Sequence, residues 1–194
     1  MTNFQRLLVR SLRKLRPATT AADGSGPGRG MAPTSEAPIP PLPYSWILTN
    51  ELAIGPMPGA GAHWDQLEDA GFRSRFSCCY PEEERFSPIP PHWRSESLAL
   101  PDHRQQEPLR PERLEAALDA AEALIAQHRP LYLHCLAGRE RSSLVAIGLT
   151  ARRRSIDVFD ALDWVRRCHP AAAPIYEQLD ILEQLLRNGH NPRR

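Results

Sequence analysis

Leu131-Tyr132-Leu133-His134-Cys135-Leu136-Ala137-Gly138-Arg139-Glu140-Arg141-Ser142-Ser143-Leu144-Val145-Ala146-Ile147 changes character twice along its length. It opens as a short buried-type strand, Leu131 to His134, set apart from what precedes it by Pro130. It closes as an apolar helix starting at Ser142. Between them runs a loop of small or undemanding side chains that includes Gly138. A loop feeding a helix N-terminus turns several unpaired backbone N–H groups towards one point, and the helix dipole adds partial positive charge there. The combination makes an anion site. Arg141 adds a planar, bidentate grip suited to phosphate oxygens.

Cys135 stands at the mouth of that site. The field that holds an anion also favours a thiolate over a thiol. A thiolate facing a bound phosphate can attack phosphorus in line, giving a phosphocysteine that water then hydrolyses. The hydroxyl of Ser142 is placed to hydrogen-bond the sulfur and help it leave. Leu136, Ala137, Gly138, Arg139 and Glu140, together with Arg141, would surround the phosphate. The plain alternative for Cys135 is a buried small hydrophobe at a strand end. His134 reads as a support that fixes the loop through its ring nitrogens, not as a proton carrier.

Cysteine-to-arginine spacing proves little in so arginine-rich a chain. Cys79-Tyr80-Pro81-Glu82-Glu83-Glu84-Arg85 repeats it. There the three glutamates would repel phosphate and Pro81 removes a backbone donor. Only the second instance has the preceding strand, His134, the glycine, the serine after the arginine and the following helix.

A leaving alkoxide or phenolate needs a proton, so an acid should lie across the pocket. Asp102, in Leu98-Ala99-Leu100-Pro101-Asp102-His103-Arg104, follows a predicted strand. In a parallel sheet the loops after neighbouring strands meet at one edge, which would let Asp102 face Cys135. The alternative is a solvated turn aspartate after proline. Glu140 and Glu107 are the other candidates. Glu140 is expected to point outward and pair with Arg139, with water positioning or replacement of Asp102 as the other roles open to it.

Working outward, Trp46–Leu48 and Leu52–Ile54 read as strands around a turn at Thr49-Asn50, and residues 62–70 as a helix ending at Gly71. Arg75–Cys79 and Glu96–Leu100 read as strands. Pro111–Gln127 is a helix with proline in its first turn and Leu114, Ala117, Leu118, Ala121, Leu124 and Ile125 at helical spacing. Helices are expected over Ser142–Arg153, Ile156–Cys168 and Ile175–Arg187, with Pro170 and Pro174 separating the last two. Strands mixed with helices and a helical C-terminal half indicate an α/β fold with a partly parallel sheet.

Ahead of this domain, residues 1–16 form a basic amphipathic segment. Phe4, Leu7, Leu8, Leu12 and Leu15 share one helical face among Arg6, Arg10, Arg13, Lys14 and Arg16. It suggests a peripheral membrane or partner contact; a disordered basic tail is the bland alternative. Residues 17–43 are rich in Pro and Gly and read as a disordered linker, with the catalytic domain spanning 44–190. The 194 residues carry a formal net charge of +1, which gives no nucleic-acid signature. No apolar stretch is long enough to span a bilayer, the N-terminus lacks a secretory-signal pattern, and the four cysteines form neither a disulfide framework nor a Cys-x-x-Cys metal pair. A cytoplasmic protein, at most peripheral at a membrane, is expected, with no cofactor and no metal.

His134-Cys135-x5-Arg141-Ser142 with the upstream Asp102 resembles the protein-tyrosine-phosphatase superfamily, especially its dual-specificity branch, over residues 44–187. Arg139-Glu140-Arg141 is similar to loops of some bacterial and cyanobacterial members, and Pro174 and Gln178 to the region that follows the loop. The resemblance implies a central four- to five-stranded, mostly parallel sheet flanked by helices. It also implies a metal-free phosphomonoesterase with Cys135 as nucleophile, Arg141 as phosphate binder and Asp102 as acid, then base. Ser143 stands where many relatives have glycine. Nothing matches the deep phosphotyrosine-recognition loop of the larger tyrosine-specific enzymes, which favours a shallower pocket. Cys78 and Cys79 resemble the place where some relatives keep a second thiol, so either is a redox partner for Cys135 unless both are ordinary buried cysteines. The expected substrate is a phosphoprotein. A phosphoinositide or other phospholipid is the second reading, and a non-catalytic phosphate-binding module or a rhodanese-like persulfide carrier are readings of other kinds.

Overall fold

The structure is a computed structural model, and it describes residues 38–84, 88–105 and 107–189. The amphipathic segment 1–16 and most of the linker lie outside the described residues. Five strands, β1 (Ser45–Leu48), β2 (Leu52–Pro56), β3 (Ser74–Ser77), β4 (Arg94–Ser97) and β5 (Leu131–Cys135), form one sheet in the order β1-β2-β5-β3-β4. β1 pairs antiparallel with β2 through a tight turn in which Asn50 takes φ 59°. All other pairings are parallel. The C-terminal ends of β2, β5, β3 and β4 therefore share one edge, and the loops that follow them converge there.

β5 is the central strand and its alternation divides the molecule. Leu131 and Leu133 face a large apolar core beneath helices α2 (Pro111–His128), α3 (Arg141–Arg154), α4 (Val158–Cys168) and α5 (Tyr176–Gly189). Tyr132 faces a smaller aromatic layer with Trp64, Phe72 and Trp93, covered by α1 (Gly61–Asp69). α3 is buried from Arg141 to Ala151, because helices surround it on the sheet face. Asp157 caps α4 by accepting from the backbone N–H of Phe159 and Asp160, both at 2.8 Å.

The sheet and its helices follow the expected pattern with shifted ends. β4 lies earlier than Glu96–Leu100; its four residues are exposed, and an edge strand carries no apolar pattern to mark its bounds. β3 ends at Ser77, so Cys78 and Cys79 begin the following loop. The linker boundary also moves. Leu42 is buried in the aromatic layer and its backbone N–H and C=O bond the Gln66 side chain at 2.7 and 2.9 Å. A single leucine among prolines is a weak periodic signal but a good anchor, so the packed chain starts before Tyr44.

Candidate active site

The loop from Cys135 to Arg141 sits at the sheet's C-terminal edge, and the scaffold holds it from outside. Leu136 O accepts from Met57 N at 3.3 Å, Arg139 O from Ala173 N at 2.8 Å, and Gly138 O from His169 Nε2 at 3.1 Å. In a trans peptide the N–H points opposite the C=O. Outward carbonyls therefore turn the N–H groups of Ala137, Glu140 and Arg139 inward. Gly138 turns the chain at φ 72°, and a Cβ there would stand 2.5 Å from the carbonyl carbon of Gly55. No side chain fits between loop and β2 at that point.

Cys135 is buried at the loop's base, with Sγ 3.3 Å from Ser142 Oγ. Arg141 is 1% exposed. Glu83 grips its Nη1 and Nη2 at 2.6 and 3.0 Å, and Asp102 Oδ2 lies 3.1 Å from Nη2. Its Nε has no protein acceptor among the described residues. A buried donor without an acceptor costs about 1–3 kcal/mol, which an anion's oxygen beside Cys135 would remove.

The structure thus brings together Cys135, Arg141, Ser142 and Asp102. Burial pushes the Asp102 carboxyl up, but hydrogen bonds from the side chain and backbone of Arg104, with the charges of Arg141 and Arg104, hold it below the usual carboxylate range. Glu140 does not pair with Arg139. Its carboxylate reaches across to the acid-bearing loop, where His103 Nδ1 lies 2.7 Å from Oε1 and His103 N–H donates to Oε2 at 3.3 Å. The α3 N-terminus aims residue 140 towards that loop, whereas Arg139 stays exposed with no ion-pair partner among the described residues. Glu107 is bound by the Tyr80 hydroxyl at 2.9 Å and by Arg113, and no contact among the described residues joins it to the Cys135–Arg141 loop. Asp102, His103 and Glu140 bring one potential ligand atom each within 4.8 Å of one another, yet Asp102 is committed to arginines and the other two to each other.

Two partners escaped the sequence reading. Glu83 and Glu84 belong to the acidic run whose charge would repel phosphate; Glu83 ends the short 3-10 turn after β3 (Pro81–Glu83) and Glu84 caps it. Glu83 orients Arg141. Glu84 pairs with the buried Arg75 of β3, whose Nη1 lies 3.0 Å from Glu84 Oε1 and 2.9 Å from His134 Nε2. Arg75 donates, so His134 Nε2 accepts and the ring proton sits on Nδ1. Burial first, then the charge of Arg75, pushes His134 down to about 3, which keeps it neutral. The signal was available: the loop after β3 opens on the same sheet edge as Asp102.

Cys78 and Cys79 are free and buried. The Cys78 N–H donates to His134 O at 2.9 Å, beside the strand that carries Cys135. Burial pushes the Cys78 thiol up strongly and that of Cys79 up to about 12.

No protein-family model matches the sequence. Solved structures do match. Human DUSP28 aligns with a TM-score of 0.61 at 24% identity, over 78% of this chain and 99% of that one. A mouse putative dual specificity phosphatase complexed with zinc tungstate gives 0.64 at 23%, over 80% and 96%. PTPMT1 in complex with PI(5)P gives 0.65 at 16%, over 75% and 95%. The fold is the one seen in these solved dual-specificity phosphatases.

Proposed function

We propose that this protein is a phosphomonoester hydrolase of the dual-specificity type, working without a metal through a phosphocysteine on Cys135 and acting on phosphotyrosine, and on phosphoserine or phosphothreonine, in proteins. The observation that carries this reading is Arg141, buried with an unpartnered Nε, in the same loop as the buried Cys135, whose sulfur lies 3.3 Å from Ser142 Oγ. Positive charge and preorganised N–H groups supply the charge stabilisation that phosphoryl transfer needs.

Phosphate oxygens accept from the loop N–H groups and from Arg141 Nε. Cys135 Sγ attacks phosphorus, the bond to the leaving oxygen breaks, and that oxygen takes a proton from Asp102. Water then attacks phosphorus as Asp102 takes its proton. The S–P bond breaks and the Ser142 hydroxyl stabilises the departing thiolate. Asp102 rests as an anion between Arg104 and Arg141. A phosphate dianion entering the loop engages Arg141, and its like charge drives a proton onto Asp102.

Arg139 favours a second substrate class. It is exposed at the loop rim without an ion-pair partner among the described residues, and such a cation suits a second phosphate, as on a phosphoinositide. The neighbour in fold PTPMT1 was solved with PI(5)P.

The test is metal-free hydrolysis of an aryl phosphate, phosphopeptides and phosphoinositides by the wild type, Cys135→Ser and Asp102→Asn. Cys135→Ser should abolish turnover, and Asp102→Asn should lower it most for poor leaving groups. Turnover untouched by Cys135→Ser would overturn the mechanism. Lipid turnover exceeding peptide turnover would select the second substrate class.

A further inference from the structure

Of the three peptide units turned outward in the phosphate loop, two are held by backbone donors, Met57 and Ala173. The third, Gly138–Arg139, is held by a side chain far along the chain. His169 Nε2 lies 3.1 Å from Gly138 O. A carbonyl only accepts, so Nε2 carries the proton and Nδ1 a lone pair. Ser45 Oγ, on β1, lies 2.9 Å from Nδ1 and donates to it, which selects this tautomer. Burial lowers the pKa of His169 and favours the neutral ring. The residue's own backbone is fixed as well: its N–H bonds Val165 O at 2.7 Å and its carbonyl accepts from Ala172 N at 2.9 Å.

Resting on the reading of this loop as a phosphate site, we propose that His169 is a positioning residue that aims the Arg139 N–H at the bound oxyanion. The Gly138–Arg139 peptide needs such a hold more than its neighbours. Gly138 has no Cβ to restrict its rotation, so rotation of this peptide costs little intrinsically. A flipped peptide would put the Gly138 oxygen, a partial negative charge, where the phosphate belongs. Ser143 Oγ also reaches this oxygen, but at 3.5 Å, the limit of a hydrogen bond. The imidazole bond does more than block the flip. A donor on the carbonyl polarises the peptide and strengthens its N–H as a donor on the other side. Ser45, His169 and the Gly138–Arg139 peptide form one chain of hydrogen bonds that runs from β1 into the anion site.

A purely structural role, closing the end of α4, would affect stability and leave anion affinity alone. The experiment therefore measures tungstate affinity and, in parallel, kcat and KM for an aryl phosphate, with thermal midpoints to confirm folding. The full chain is compared with His169→Phe, which keeps an aromatic ring and loses the donor, and His169→Gln, which keeps a side-chain N–H. His169→Phe should weaken tungstate binding by about tenfold, the scale of one well-placed hydrogen bond, with kcat/KM falling in parallel. His169→Gln should stay within about threefold of wild type on the same scale. A folded His169→Phe protein that binds tungstate as tightly as wild type would overturn the proposal. Should that variant not fold, His169→Gln and His169→Asn decide: the shorter amide cannot reach Gly138, and equal tungstate affinity in the two would overturn it. Tungstate bound without aryl phosphate turnover would remove the proposed hydrolase activity and leave His169 to be judged on binding alone. Wild type that binds no tungstate would remove both.

Discussion

The carboxylate of Glu83 spans the two terminal nitrogens of Arg141, at 2.6 Å to Nη1 and 3.0 Å to Nη2, and leaves Nε without a protein acceptor among the described residues. A long side chain in a phosphate site otherwise loses rotamer freedom when the ligand arrives. Here that ordering is already done. Glu83→Gln keeps the shape and removes the charge, leaving a buried cation less well neutralised. It should lower kcat/KM for an aryl phosphate by about tenfold and stability by roughly 1–3 kcal/mol, read by steady-state kinetics and urea melts. Unchanged kinetics would show that Arg141 needs no such hold.

Arg104 engages Asp102 through its backbone N–H and its guanidinium, and Glu83 at 2.6 Å. Asp102 must be protonated to act as an acid, and Arg104 holds it below its ordinary range despite burial. Removing that cation raises the carboxyl's pKa, so more of it is protonated at any given pH. In Arg104→Met the basic limb of kcat/KM against pH should move to higher pH for a poor leaving group. For a nitrophenolate, which departs unaided, it should stay put. An identical limb for both variant and wild type with the poor leaving group would remove Arg104 from this role.

His134 binds its proton in the folded state only near pH 3, against an ordinary value of 6.5. Between those values the unfolded chain binds the extra proton and the folded chain does not. Stability therefore rises with pH across this window and is lost as pH falls below about 6.5, by at most roughly 1.4 kcal/mol per unit from this group. His169, also lowered, acts with the same sign. His134→Gln retains an acceptor for Arg75 and removes the titration. Its urea midpoint should fall less steeply than that of wild type from pH 6.5 to 5; equal slopes would contradict the assignment.

Oxidation by hydrogen peroxide turns a reactive cysteine such as Cys135 into a sulfenic acid, which condenses with a thiol to a disulfide and releases water. Cys78 and Cys79 lie in the loop beside its strand, and burial keeps both as thiols, which slows but does not prevent condensation. Peptide mapping after peroxide should find Cys135 joined to one of them. Maps with neither link would make them ordinary core cysteines.

Most of the sheet was legible because parallel strands buried on both faces read as short apolar runs, as Leu131–Leu133 does. The strand–loop–helix unit from Leu131 onward was legible because an apolar run, a glycine at φ 72° and a second apolar run follow one another there. The place of Asp102 beside Arg141 followed from its position after a strand at the shared sheet edge. What stayed hidden are contacts that depend on packing across the chain. Glu83 and Glu84 looked like solvated charge, since nothing local says that a buried arginine waits for each. Glu140 was assigned its sequence neighbour Arg139 when the helix start aims it at His103. His169 carried no signal, because its partners, Ser45 and Gly138, are brought to it only by β1 and the end of α4.

Gly55 and Gly138 meet back to back, and Gly55 is hemmed on its other side, where a Cβ would stand 2.4 Å from the Tyr132 hydroxyl. That hydroxyl is itself fixed to Pro56 O at 2.6 Å. The spacing between β2 and the loop that carries Arg141 is thus held by two glycines and a tyrosine of the aromatic layer. Drift in that layer would be felt first as a shift of this loop against β2.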